Sequence, residues 1–157
     1  MDKNMDKYFS LAAEETMKSM ERQDGGPFGA TIVKDGEVVV AVGNTQMRDT
    51  DPTAHAELVA IREACKKLET RDLTGCEIYA TCQPCPMCVG AIIWSGIKNV
   101  YYANTAEDAA ENGFSDMDLR NFLDHSDPSV LNMVKVEDRD DCNQLFTHFH
   151  EMNPVNE

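Results

Sequence analysis

The sequence predicts a three-layer α/β/α sandwich around one mixed, five-stranded sheet. Three observations point there. Helical and strand-like periodicities follow one another in the order α-β-β-α-β-α-β-…-β-α. Asp35-Gly36 sits between two β-branched runs, the mark of a hairpin. The chain has 157 residues, the length of one ordinary domain spanning 1–157, which can bury a core without help from disulfides.

From about Lys3 to Arg22, Phe9, Ala12, Ala13, Met17 and Met20 recur at helical spacing, with Glu14, Glu15, Lys18 and Glu21 opposite. Asp24-Gly25-Gly26-Pro27 breaks that helix. The hairpin strands are Ala30–Lys34 and Glu37–Val42, and the polar stretch Gly43–Pro52 reads as a loop carrying Asn44. A second helix is expected from about Thr53 to Leu68, with Ala56, Val59, Ala60, Ala64 and Leu68 facing the core. Glu77–Thr81 alternates as a short strand. Pro86 suits the first turn of a helix running through Met87–Trp94, because its missing N–H would have no partner there anyway. Lys98–Ala103 is the fourth strand, and the acidic stretch Ala106–Asp127 is expected to be a loop with a short helix. Val130–Val136 reads as the fifth strand and Asp140–Glu151 as a closing helix.

Composition removes several classes of function. With 28 acidic residues against 14 Lys and Arg, the net charge is −14. A broad nucleic-acid footprint needs clustered cations, so none is expected, although a small neutral base remains acceptable as substrate. No apolar run approaches the roughly 20 residues of a membrane span. The opening residues Met-Asp-Lys-Asn-Met-Asp-Lys are too charged for a secretory leader. Of the six cysteines, Cys82, Cys85 and Cys88 crowd together, a poor disulfide framework and a good metal or redox cluster. Free thiols place the protein in a reducing compartment, the cytoplasm.

Two fragments carry chemistry: His55-Ala56-Glu57 and Pro84-Cys85-Pro86-Met87-Cys88, each entering a helix at its N-terminus. An imidazole and two thiolates are natural zinc ligands, and three protein donors leave a fourth position for water. Zinc lowers the pKa of such a water towards roughly 7. Glu57, two residues beyond His55, is placed to take its proton and pass it on. Each fragment alone is common; H-x-E followed by P-C-x-x-C is the signature of zinc nucleobase deaminases. Cys82 is the alternative fourth sulfur, which would close the site into a structural zinc staple.

With these fragments the chain resembles the cytidine-deaminase-like superfamily and, within it, the small bacterial guanine deaminases. Gly26-Pro27-Phe28-Gly29-Ala30, Asn44, Asp51-Pro52-Thr53-Ala54-His55-Ala56-Glu57 and Thr81-Cys82-Gln83-Pro84-Cys85-Pro86-Met87-Cys88 match its shared blocks. Asp108-Ala109-Ala110-Glu111-Asn112-Gly113-Phe114-Ser115-Asp116 resembles the guanine-deaminase form of a later loop. The resemblance implies one zinc per subunit on His55, Cys85 and Cys88, with Glu57 as proton shuttle and Asp116 assisting proton delivery to the departing amino group. It implies that Asn44 and Ala54 contact the base and that Phe28 and Trp94 flank its ring, although Trp94 on its apolar helix reads equally as plain core. Guanine would be converted to xanthine and ammonia by a homodimer that exchanges its C-terminal segments, about 137–157.

Two departures stand out. Gln83 replaces a Glu common in the second motif, and the tail Asn143–Glu157 lacks a terminal aromatic found in some relatives, with Phe146, Phe149 and His150 its nearest substitutes. The competing readings are a guanosine or aminotriazine deaminase, a cytosine or cytidine deaminase, a tRNA adenosine deaminase, which the charge disfavours, and a non-enzymatic zinc module.

Overall fold

The computed structural model describes residues 3–154 and divides after Arg120 into two compact units. In the first unit, β1 (Gly29–Lys34), β2 (Glu37–Gly43), β3 (Cys76–Cys82) and β4 (Asn99–Asn104) form a mixed sheet in the order β2-β1-β3-β4. β1 runs antiparallel to both β2 and β3, and β3 runs parallel to β4. Asp35 and Gly36 turn the hairpin with φ of 51° and 78°, the left-handed pair that matches strand twist.

Alternation along the strands sorts the core into two layers. Ala30, Ile32 and Ile78 pack with Ala56, Ala60 and Ala64 of α2 (Ala56–Leu68) and Ile92 of α3 (Pro86–Ser95). Val33 and Tyr79 turn to the other face and meet Tyr8 of α1 (Lys3–Glu21). The three layers are therefore as expected, but the sheet has four strands rather than five. Val130–Val136 forms a turn followed by irregular chain. Its apolar, Val-rich composition is local, whereas a strand exists only where a neighbour accepts its backbone hydrogen bonds, and among the described residues none does.

The inward face of α1 also differs from the expected one. Tyr8, Ala12, Thr16 and Ser19 are buried, while Ala13 and Met17 point outward. The reason is close approach of helix and sheet. A Cβ on Gly29 would lie 2.0 Å from Thr16 Oγ1 and 2.6 Å from the Ala12 carbonyl oxygen, and one on Gly43 would lie 2.7 Å from Ser19 Cβ. Only small side chains fit, and their hydroxyls are satisfied locally: Thr16 donates to the Ala12 carbonyl and Ser19 to the Asn44 carbonyl, both at 2.7 Å. Gly29→Ala is expected to cost about 1–3 kcal/mol, read as a lower urea midpoint, because a backbone carbonyl cannot move aside as a side chain can.

α2 begins at Ala56 rather than Thr53. The Asp51 carboxylate accepts from the Thr53 N–H at 2.8 Å and its hydroxyl at 2.7 Å, holding that stretch as a turn. The predicted loop with one helix contains two, α4 (Ala106–Glu111) and α5 (Met117–His125). Within the second unit, α6 (Asp140–Met152) leaves Leu145, Phe146, Phe149 and Met152 exposed. Among the described residues, no helix is long and apolar enough to cross a membrane.

Candidate metal centre

His55 is the N-cap of α2 and Cys85 the N-cap of α3; both are extended, and neither spends its side chain on a cap hydrogen bond. An ordinary Ser or Asp cap would turn back onto the helix. Here the two side chains are left to meet each other, and Pro86 starts α3 so that Cys88 follows one turn later on the same face.

His55 Nδ1 lies 3.6 Å from Cys85 Sγ and 3.5 Å from Cys88 Sγ, and the two sulfurs are 3.7 Å apart. A tetrahedral ion with Zn–S of about 2.3 Å and Zn–N of about 2.0–2.1 Å has edges of about 3.8 Å between sulfurs and about 3.6 Å between sulfur and nitrogen. The triangle therefore has the dimensions of zinc. Cys82 stands outside it, its thiol donating instead to the Thr105 carbonyl at 3.6 Å. Without an ion the donors share protons. The Cys88 hydrogen bond draws the Cys85 thiol down to about 4, while Cys88 is pushed far up, and the neighbouring Cys85 raises the His55 imidazole.

The triangle opens onto a cavity of about 290 Å³ whose walls include Glu57, Asn44, Phe28 and Asp116. Glu57 is only 6% exposed, and burial raises its carboxyl above the ordinary range. Asn44 is buried; its Oδ1 accepts from the Gln46 and Gly26 N–H groups at 3.0 and 3.4 Å, so it serves the turn as well as the wall. Phe28 meets Phe114 edge to face, with ring centroids 5.1 Å apart. Asp116 is gripped by Arg120, whose Nε lies 2.9 Å from both carboxylate oxygens.

Two expected contacts are not on that wall. Trp94 is 90% exposed on the outer side of α3, neither core nor cavity, because Ile92 and Cys88 take the inward positions. Ala54 is fully buried behind the wall, where its carbonyl accepts from Thr45 N–H at 3.1 Å.

Sequence reasoning missed Phe114, Gln46 and the cavity role of Gln83. Phe114 sat in a quoted block, two residues before Asp116, and its aromatic side chain was the available signal. Gln83 Oε1 accepts from the Ala106 N–H at 3.0 Å, tying the end of β3 to the start of α4 and so to the segment bearing Phe114 and Asp116.

A family model described as the cytidine and deoxycytidylate deaminase zinc-binding region matches residues 3–104. A guanine deaminase of Bacillus subtilis (strain 168) is 54% identical over 92 residues, a block spanning 59% of this chain and 59% of that protein. A tRNA-specific adenosine deaminase of Aquifex aeolicus (strain VF5) is 38% identical over 130 residues, covering 83% of this chain and 82% of its own length. The X-ray structure of the guanine deaminase from Bacillus subtilis superposes with a TM-score of 0.88 at 35% identity, covering 100% of this chain and 99% of that one. Identity is thus densest in the 92-residue block and lower over the whole superposed length.

Proposed function

The chain belongs to the cytidine and deoxycytidylate deaminase zinc-binding family, and on that premise we propose that it hydrolyses guanine to xanthine and ammonia with one zinc ion per chain. The observation that carries the reading is the zinc-sized triangle of His55, Cys85 and Cys88 opening beside buried Glu57 onto a cavity of about 290 Å³. That volume is at the small end of ligand pockets, suited to a single purine base. The guanine deaminase relatives supply the choice of base.

In this reading His55 Nδ1 and the sulfurs of Cys85 and Cys88 hold the ion, which when bound supplies a Lewis acid that lowers the pKa of water. A Glu57 carboxylate oxygen takes a proton from the attacking water and returns it to the amino nitrogen leaving C2. Burial raises its carboxyl above the ordinary carboxylate range, in the direction that helps it carry a proton. Asp116, oriented by Arg120, assists proton delivery to the departing amino group, Asn44 contacts the ring edge, and Phe28 with Phe114 packs against the base. Water in and ammonia out balance the reaction.

The test is ammonia release from the zinc-loaded protein given guanine, guanosine, adenine, cytosine, an aminotriazine and tRNA. Guanine is expected to turn over, and silence on guanine with release from another substrate overturns the assignment. The net charge of −14 sets this chain against a polyanionic substrate such as tRNA, despite the adenosine deaminase relative.

The same reading makes the protein a cytoplasmic homodimer that exchanges the segment of about 137–157. In support, all six cysteines are free, α3 displays Ile93 and Trp94 at 70% and 90% exposure, and α6 leaves its aromatic residues exposed. Such apolar surface is costly on a lone chain. Sedimentation is expected to give twice the chain's 17.5 kDa, and a monomer at micromolar concentration overturns the exchange.

A further inference from the structure

We propose that Gln46 is a positioning residue that holds Asn44, whose amide oxygen is already taken by two backbone N–H groups, to a single free N–H, so that the cavity selects a base presenting a hydrogen-bond acceptor at that edge. The inference rests on the purine reading above and deepens it. Asn44 and Gln46 stand side by side on the cavity wall.

The orientation of both amides is fixed by backbone groups. The Pro52 carbonyl can only accept, so Gln46 must present its NH2 end there, and Nε2 lies 2.8 Å away. That leaves Gln46 Oε1 for Asn44 Nδ2, also at 2.8 Å. Asn44 Oδ1 then accepts from the backbone N–H groups of Gln46 at 3.0 Å and Gly26 at 3.4 Å. Reversing the Asn44 amide would set its NH2 against two N–H donors and its oxygen against Gln46 Oε1, so the network permits one orientation.

Counting valences gives the consequence. Both acceptor sites of Asn44 Oδ1 are occupied by backbone, and one of the two Nδ2 hydrogens is committed to Gln46. What remains for a ligand is a single N–H. The amide cannot retreat from it, because the Gly25 backbone presses so close that a Cβ there would lie 2.2 Å from Asn44 Oδ1. A base with C–H instead of an acceptor at this edge leaves that buried donor unpaired, and sites built around such a donor discriminate strongly.

The experiment measures kcat and KM for guanine, and competitive inhibition constants for 3-deazaguanine, 7-deazaguanine and 2-aminopurine, each lacking one acceptor of guanine. The proteins are wild type and Gln46→Met, both zinc-loaded. In the wild type one analogue is expected to bind at least about tenfold more weakly than guanine, the loss of one buried hydrogen bond. In Gln46→Met that ratio is expected to fall at least about threefold, with KM for guanine rising about fivefold and kcat within about twofold.

A lowered Tm in Gln46→Met with the analogue ratio unchanged makes Gln46 purely structural and overturns the inference. So does a wild type that binds all three analogues as tightly as guanine. A wild type that neither binds nor converts any of these purines removes the purine reading itself, and this inference with it.

Discussion

Glu57→Gln is expected to lower kcat for guanine by about 10³-fold while one zinc per chain stays bound, since a positioned general base contributes roughly 10²–10⁴. The substitution keeps the shape and a hydrogen-bonding oxygen but cannot carry a proton. Glu57 is buried at the first turn of α2, two residues from His55 and on the cavity wall. Its carboxyl is raised chiefly by burial, so in a purely structural zinc module it would be a liability, and neutralising it would be silent or stabilising. The two readings therefore predict opposite outcomes. Ammonia release and metal content measured on one preparation decide between them: activity within tenfold of wild type removes Glu57 from the proton path.

Stripping the ion is expected to abolish turnover and to lower Tm by about 10 °C, with both recovering on return of zinc. A ligand present at a thousandfold excess over its Kd stabilises the folded state by about 4 kcal/mol. For a chain of this length each kcal/mol is worth about 2–4 °C. The triangle shows why the apo protein suffers. His55 and Cys85 are drawn together from the starts of two different helices, and Cys88 is fully buried one turn into the second, so the ion ties the two helix starts to each other. Chelator-treated protein with full activity, or with an unchanged melting curve, would contradict a resident catalytic zinc.

Much of this was legible because it was local. Asp35-Gly36 announced its hairpin, Pro86 its helix start, and the two short motifs brought imidazole and thiols to helix N-termini. What failed was non-local. The Val-rich composition of Val130–Val136 is a property of the segment, but pairing depends on a neighbour. Thr16 and Ser19 are not among the core positions that helical spacing picks out, because only the folded sheet brings the glycines of β1 and β2 against them. Trp94 looked apolar enough for a core or a ligand, yet helix phase puts it outside, opposite Ile92. Gln46 carried no motif at all; its place follows from hydrogen bonds to Asn44 and Pro52.

The position of β1 between β2 and β3 sets an order of events during folding. Ala30 pairs with Val42 across the hairpin and with Ala80 across the other ladder. The first closure spans a short loop and belongs to the microsecond regime, whereas the second must gather a loop of about fifty residues, at a further entropic cost of about 1 kcal/mol. His55 follows the strand that joins early and Cys85 the strand that joins late. Until the slower ladder zips, the imidazole has no thiols to meet. Time-resolved capture of zinc by the refolding chain would therefore clock the arrival of β3, while the hairpin itself would already be in place.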